Sequence, residues 1–407
     1  EIFDVIVIGG GPAGCMSAIK AAERKKKVLL LEKNPEIGRK IFLTGNRRGN
    51  ITNLESLEEF LKKYRNGSFL RNGFARFFNT DLVEFFEQNG LPLKVERGNR
   101  VYPESDNAGD IVKLLVSLLK KYQVKVLTKN SVSGLIPNKD FFEVLAGRKK
   151  FFGSKVIIAC GGKSFPGTGS DGSGYLLAEK TGHTIERPVP SLCGIEVKEQ
   201  DVISRWSGIV LKNVRITAFL NQKKIQEEFG EMLFTHYGLS GPVVLNLSGV
   251  VSEHIGRGEV SVSINLKPAL SREKIDARLC RELLENSNKQ LKTILKNLMP
   301  EALVPGFLKY AGLDGEKRAN QVTKDERMKV YQALVRLVFR VKNTRPFTDS
   351  MVTRGGVSVK EINPKTMESK IVPGLFFAGE VIDVDGKTGG YNLQAAFTTG
   401  YLAGTSV

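Results

Sequence analysis

Histidine and cysteine are scarce in this 407-residue chain, which holds three of the first (His183, His236, His254) and four of the second (Cys15, Cys160, Cys193, Cys280). The cysteines are far apart and none falls in a C-x-x-C or other metal-ligand spacing, so no metal site is expected. Reduced thiols are the reading, with Cys15 and Cys160 in apolar contexts that suit a core. Three scattered histidines also leave little material for a serine-type triad. No apolar run approaches the ~20 residues that a membrane span needs, and the first strand-like run begins almost at once, with no leader pattern ahead of it. The expectation is a cytoplasmic protein without a membrane partner. Acidic residues are the other deficit: 43 Asp and Glu stand against 61 Lys and Arg, a net charge of +18. An excess of that size raises nucleic acid as a partner, because a basic surface binds phosphates non-specifically. The basic residues, however, come in short clusters such as Lys25-Lys26-Lys27 and Arg148-Lys149-Lys150. No aromatic residues interleave with them as a stacking platform requires. A solvated lysine-rich surface, with no specific nucleic-acid partner, is the expectation.

Glycine is what the chain has in quantity, and two glycine-rich segments near its ends carry the most information. Val5-Ile6-Val7-Ile8 runs straight into Gly9-Gly10-Gly11-Pro12-Ala13-Gly14. The apolar run suits a buried parallel strand. Gly9, Gly11 and Gly14 then stand in G-x-G-x-x-G spacing: the first for a tight turn, the second for close approach to a pyrophosphate, the third for helix–strand packing. A helix from about Ala13 to Arg24 would aim its N-terminal amides and its dipole at the phosphates. A second strand, Val28 to Leu31, ends in Glu32, placed to accept hydrogen bonds from ribose hydroxyls. An acid there disfavours a 2′-phosphate. Strand, triplet, helix, strand and acid in that order describe a dinucleotide site.

Toward the other end, Gly374-Leu375-Phe376-Phe377-Ala378-Gly379-Glu380 is followed by Asp383 and by Gly389-Gly390-Tyr391-Asn392-Leu393. A last strand ending beside a ribityl phosphate, with Gly379, Glu380 and Asp383 in the turn after it, specifies FAD. The Gly389-Gly390 turn opens a final helix, from about Leu393 to Ala403, whose N-terminus would face the N1–C2=O side of the isoalloxazine. Between the two ends, Lys33 to Lys40 and Thr44 to Asn53 form a polar, glycine-punctuated stretch with little apolar periodicity. It reads as extended chain along a large polar ligand, with Lys33, Arg39, Lys40, Thr44, Gly45, Asn46, Arg48, Asn50, Thr52 and Asn53 as candidate contacts. Val132 and the Cys160-Gly161-Gly162 strand end complete the set.

Several of these segments resemble the YhiN/BaiN-like family of bacterial flavoproteins, NAD(P)/FAD-dependent oxidoreductases. They are Gly38-Arg39-Lys40, Gly45 to Asn53, Gly161-Gly162-Lys163-Ser164-Phe165-Pro166 with Thr168-Gly169-Ser170, and Leu233 to Pro242. Thr353-Arg354-Gly355-Gly356-Val357, Lys360 to Pro364 and the block from Ala378 to Asn392 belong with them, so the similarity spans essentially the whole chain. One departure is that the family usually reads G-R-C-N where this chain has Arg48-Gly49-Asn50, so a thiol is missing. The resemblance implies an α/β fold: a discontinuous Rossmann-like FAD domain (1–189 and 346–407) interrupted by a β-barrel-like domain (190–268 and about 335–345) and a small helical domain (269–334). It implies FAD as cofactor and a small-molecule substrate, with Lys163, Arg354 and Tyr391 as candidates beside the flavin. Family relatives include a reductase of 3-oxo-steroid double bonds and an oxidase of small amines. Hydride transfer at flavin N5 is therefore the expected chemistry, with an amine oxidase and an RNA-docking flavoprotein as alternatives.

The intervening sequence agrees with that layout. Asp106 to Lys121 carries an amphipathic stripe of Ile111, Leu114, Leu115, Leu118 and Leu119, and leads to a strand at Val124 to Leu127. Val132 to Phe152 reads as a β-meander, and Val156 to Ala159 as a returning strand. Past Pro188 to Pro190 the pattern turns strand-like (Val214 to Leu220, Glu259 to Asn265), then helical from Ser271 to Met299. A further helix follows Thr323, whose spacing to Glu326 fits a capping box. No second G-x-G-x-x-G follows a strand, so a separate NAD(P)H domain is not expected; NAD(P)H, as a transient donor, would enter the substrate cleft directly. The inserted stretch from about Pro190 to Arg345 is expected to form the lid and substrate wall.

Overall fold

Strand β1 (Ile2–Ile8) is buried at every residue from Val5 onward, as a strand in mid-sheet must be. A computed structural model describes residues 2–407. After β1 come β2 (Val28–Leu31), β3 (Thr52–Asn53), β4 (Leu93–Glu96), β5 (Arg100–Pro103), β6 (Lys125–Leu127), β7 (Val132–Pro137), β8 (Phe142–Ala146), β9 (Lys149–Ile158) and β10 (Ile185–Ser191). Strands β11 (Ile195–Val197), β12 (Val210–Leu220), β13 (Lys223–Thr235), β14 (Gly238–Ser240), β15 (Val260–Asn265) and β16 (Leu337–Thr344) follow. Strands β17 (Val352–Val357) and β18 (Leu375–Phe377) close the series. The chain divides into two compact units, one of residues up to Pro190 with Phe347–Val407, the other Ser191–Pro346.

In the first unit β6, β2, β1, β9 and β18 lie side by side, all parallel. Strand β9 is long enough to serve two partners along one edge. Its first half pairs antiparallel with β8, and its last three residues pair with β18. The antiparallel β7–β8–β9 meander thus grows out of the same sheet that carries the glycine turn. Helix α1 (Pro12–Glu23) follows β1, and helix α2 (Ala108–Lys121) buries Ile111, Leu115, Leu118 and Leu119 in the core. Its N-cap, Asn107, accepts from the Gly109 amide at 2.9 Å. Helix α3 (Tyr391–Ser406) ends the chain and lies along α1 at very close range. A Cβ on Gly400 would come 2.4 Å from the Ala13 carbonyl oxygen, and one on Gly404 would come as near to that of Ser17. Two glycines four residues apart therefore let the two helices touch backbone to backbone.

The second unit is built on a closed barrel in the order β11-β14-β13-β12-β15-β16, with β16 pairing back to β11. The helical stretch expected from Ser271 to Met299 is broken at Asn286 into Arg272–Glu285 and Leu291–Leu295. The helix after Thr323 spans Lys324–Val335 and has the capping box in full. These helices share one hydrophobic core with the barrel, and the single tryptophan sits where they meet. Trp206 packs 5.0 Å from the Phe234 ring and donates its indole N–H to the Leu303 carbonyl at 3.2 Å. Among the described residues no helix is long and apolar enough to cross a membrane.

Candidate functional site

The glycines of the first turn do three different jobs. Gly9 has φ +107°, and a Cβ there would strike the Ala159 carbonyl oxygen at 2.5 Å. A Cβ on Gly14 would lie 1.9 Å from the Gly9 oxygen, so the helix could not sit this close to its strand. Gly11, by contrast, has nothing within 4 Å of its Cβ position: it faces open space. Pro12 occupies the first turn of α1, where its missing N–H costs no bond. Glu32 holds this turn together, a role that its spacing from the glycines does not reveal. One carboxylate oxygen accepts from the Gly10 amide at 2.7 Å, and the other accepts from the Asn34 amide and side chain at 2.7 and 2.8 Å.

The open space belongs to a cleft whose empty volume, counted out into open solvent, is about 1350 Å³. Gly9, Gly11, Pro12, Ala13, Glu32 and Lys33 line one wall. Arg39, Lys40 and Thr44 line it after β2; Val132, Cys160 and Gly161 line it from the meander and the end of β9. Gly379, Glu380, Asn392 and Leu393 contribute from the C-terminal segment. Asn34, Asn130, Thr168, Ser170 and Ser173 also border the cleft; Asn34 falls within the Lys33 to Lys40 stretch and Thr168 and Ser170 within a family segment, while no signal in the sequence marked Asn130 or Ser173. The residues fit a dinucleotide cofactor on two counts. The space in front of Gly11 is where a pyrophosphate would approach the α1 amides. In addition, the buried Ser170 hydroxyl has no hydrogen-bond partner among the described residues, and an unpaired buried polar atom is costly unless a ligand satisfies it.

Polar ties set the cleft walls. Asn34 donates its side-chain N–H to the Thr168 carbonyl at 3.0 Å and accepts from Arg39 at 3.1 Å, while Lys33 pairs with Asp171 at 2.7 Å. Lys40 and Glu380 form an ion pair at 2.6 Å between the β2 side and the turn after β18. The second oxygen of Glu380 accepts from the Thr353 amide (2.7 Å) and the Ser164 hydroxyl (3.2 Å). Thr353 Oγ1 in turn accepts from the amides of Lys163 and Ser164. Gly162 has to be glycine, since its Cβ would come 2.4 Å from Thr353 Oγ1. Cys160, read from sequence as core, borders the cleft with its thiol 3.4 Å from the Ile8 carbonyl. Burial pushes that thiol up to about 12, against the pull of Lys33, which favours its protonated form.

Other expected contacts lie away from the cleft lining. Arg48 stacks 4.3 Å over the Tyr102 ring and pairs with Glu96 and Asp106. Gly45 and Asn46 form a left-handed turn beside it. Asn50, Thr52 and Asn53 sit behind the Gly389-Gly390 turn and hold it from the back. Asp383 is buried against Asn66 (3.0 Å) and Arg65 (3.4 Å), where burial raises its carboxyl and Arg65 opposes the rise. Of the three candidates for a place beside the flavin, Tyr391 is buried in a cluster with Phe60 and Tyr64 and gives its hydroxyl to Glu55 at 2.9 Å. Arg354 lies 3.9 Å from Asp385. Lys163 places its ammonium 5.3 Å from the centre of the Phe347 ring. The missing thiol has a local account: Gly49 has φ +79°, and its Cβ would meet Ile111 at 2.6 Å.

The parallel sheet, the glycine turn and the cleft define a Rossmann-type FAD-binding domain, and the class of protein is an FAD-dependent oxidoreductase. The chain belongs to the HI0933-like protein Rossmann domain family, whose pattern it matches over residues 3–406. It is 33% identical to the 3-dehydro-bile acid delta(4,6)-reductase of Clostridium scindens, across 98% of this chain and 97% of that one. It is 32% identical to the ribosomal RNA dihydrouridine synthase of Haemophilus influenzae, across 99% and 98%. Among solved structures, a 3-ketosteroid-delta4-(5alpha)-dehydrogenase from Rhodococcus jostii shares the fold, with TM-score 0.51 and 15% identity over 99% of this chain and 96% of that one.

Proposed function

We propose that this chain is an FAD-dependent reductase that saturates a carbon–carbon double bond conjugated to a carbonyl, using NAD(P)H as the electron donor. The observation that carries the reading is that two relatives matched along almost their whole length are named for that one kind of reaction on very different molecules. A bile-acid delta(4,6)-reduction and the conversion of uridine to dihydrouridine both add two hydrogens across such a bond. Bound FAD supplies the two-electron chemistry at N5. The chain's own residues do the rest. The α1 amides and Gly11 take the pyrophosphate, Glu32 fixes the turn that presents them, and the Lys40–Glu380 pair braces the ribityl side. With no second dinucleotide fingerprint, NAD(P)H and substrate use the same flavin in turn, and the balance is NAD(P)H, a proton and the alkene giving NAD(P)⁺ and the alkane.

A small conjugated enone is the first substrate reading. Uridine in a structured RNA is the second, and the Haemophilus relative favours it. The test begins with anaerobic reduction of the purified protein by NADH and NADPH, followed through the flavin absorbance. The reduced protein is then offered a 3-oxo-4-ene steroid, free uridine, a ribosomal RNA transcript, and, in a separate arm, oxygen with small amines. Reoxidation by an enone or by RNA with a gain of two hydrogens supports the reading and chooses its substrate. Turnover of amines with oxygen, and no saturation of any alkene, overturns it in favour of an oxidase.

A further inference from the structure

Asn50, Thr52 and Asn53, which read as cofactor contacts in sequence, are absent from the cleft lining and meet the start of helix α3 instead. Residues 50 to 53 pack on the back of the turn that starts this helix. A Cβ on Gly390 would lie 2.4 Å from the Thr52 carbonyl oxygen, so the two backbones touch. Asn50 is buried there. With its amide turned so that donors meet acceptors, its oxygen accepts from the Gly390 N–H at 3.0 Å. Its nitrogen donates to the carbonyls of Thr52 (3.0 Å) and Val101 (3.2 Å). Thr52 donates its hydroxyl to Gln394 at 2.6 Å, one turn into the helix, and Asn53 donates to the Gly389 carbonyl at 3.4 Å. The helix has no side-chain cap of its own at Gly390. Its start is therefore fixed by a strand that lies more than 300 positions earlier in the sequence.

What that start faces follows from the polarity of the cleft. Glu32 marks the adenosine end, and Gly9 to Ala13 mark the pyrophosphate. Asn392 and Leu393, in the first turn of α3, line the same cleft, and the FAD reading gives that turn to the flavin ring. The first-turn amides of a 16-residue helix carry partial positive charge, and the effect falls off within one turn, so a small displacement changes it. We propose that Asn50 is a positioning residue for the flavin: by holding the Gly390 amide it sets where α3 presents its positive end, and thereby the ease with which the ring accepts negative charge. The inference rests on the FAD reading.

Sulfite is the probe, because it adds to flavin N5 and leaves negative charge on the N1–C2=O side, so its dissociation constant reads the field there without any turnover. Asn50→Ala is expected to keep one FAD per chain, to weaken sulfite binding roughly two- to thirty-fold, the span of one charge interaction at a helix end, and to lower the flavin midpoint potential. Thr52→Val cuts the neighbouring tie to Gln394 and is expected to move sulfite binding in the same direction; it decides the matter if Asn50→Ala does not fold. An Asn50→Ala protein with full FAD, a lower melting temperature and an unchanged sulfite constant would make Asn50 purely structural and overturn the proposal. A wild-type protein that takes up no FAD would overturn the cofactor reading itself, and shows as a missing flavin spectrum before any variant is compared.

Discussion

At the residue scale, glycines with the same spacing in one motif are held by different constraints, and substitutions separate them. Gly11 faces open space while Gly14 faces a backbone oxygen. Gly11→Val is therefore expected to fold with a melting temperature close to wild type and to lose FAD, because the side chain fills the pyrophosphate approach rather than the core. Gly14→Ala is expected to lower stability by about 1–3 kcal/mol through overpacking of helix against strand, with FAD loss only as a consequence. Thermal melting in excess FAD, alongside cofactor stoichiometry after gel filtration, distinguishes the two. Equal loss of stability in both variants would contradict the assignment. Glu32 shows a related limit. Its position after the second strand is legible in sequence, but its bonds are not, since the donors on Gly10 and Asn34 are brought to it only by the turn.

At the element scale, the site depends on contacts that have no periodic signal. Helix α1 aims at the cleft because α3 lies against it through Gly400 and Gly404. Gly400→Ala would push Ala13, which lines the cleft, and is expected to cost about 1–3 kcal/mol while also weakening FAD binding. Denaturant melts with and without FAD check both effects, and retention of wild-type affinity would show that the α1–α3 approach does not position the turn. A second tie has a pH signature. His183 is buried edge-on against Phe377, with its ring nitrogens 3.1 Å from Thr181 Oγ1 and 2.7 Å from Ser369 Oγ. Burial lowers its pKa below the usual imidazole value of 6.5, with Glu361 opposing. The folded state thus keeps the ring neutral where the unfolded chain binds a proton. Its contribution is complete above about pH 6.5 and is lost as pH falls through the depressed folded value. His183→Gln is expected to flatten that part of the stability–pH curve, measured by urea denaturation from pH 5 to pH 8 (roughly the window in which imidazole titrates).

At the scale of the whole molecule, the two units have separate hydrophobic cores, one drawn from the sheet and its helices and one from the barrel and its helices. Replacing Ser191–Pro346 by a short flexible linker is therefore expected to leave a folded first unit that still binds FAD, since every residue lining the cleft lies outside that stretch. We propose substrate handling as the task of the inserted unit, so the same protein is expected to lose substrate turnover. Flavin spectra and circular dichroism report the first outcome, and the alkene-saturation assay the second. Normal turnover by a well-folded deletion would show that the inserted unit has a different task.

The sequence by itself determined the β1–turn–α1–β2 unit, the FAD-type C-terminal turn and the amphipathic α2, because each is encoded by local spacing: a glycine triplet, an apolar run, a 3.6-residue stripe. Much of the cleft lining is legible in the same local signals. Only the tertiary structure decided which marked residues face the cleft and which stand behind it. Arg48, Asn50, Thr52, Asp383 and Tyr391 sit in the same polar, glycine-rich stretches as true lining residues, and composition treats them alike. Their directions are set by partners distant in sequence: Tyr102 under Arg48, Gly390 against Asn50, Gln394 on Thr52, Arg65 beside Asp383, Phe60 around Tyr391. A turn residue's side chain points wherever the packing and hydrogen bonds of the assembled core place it, and that information exists only once both ends of the chain have met.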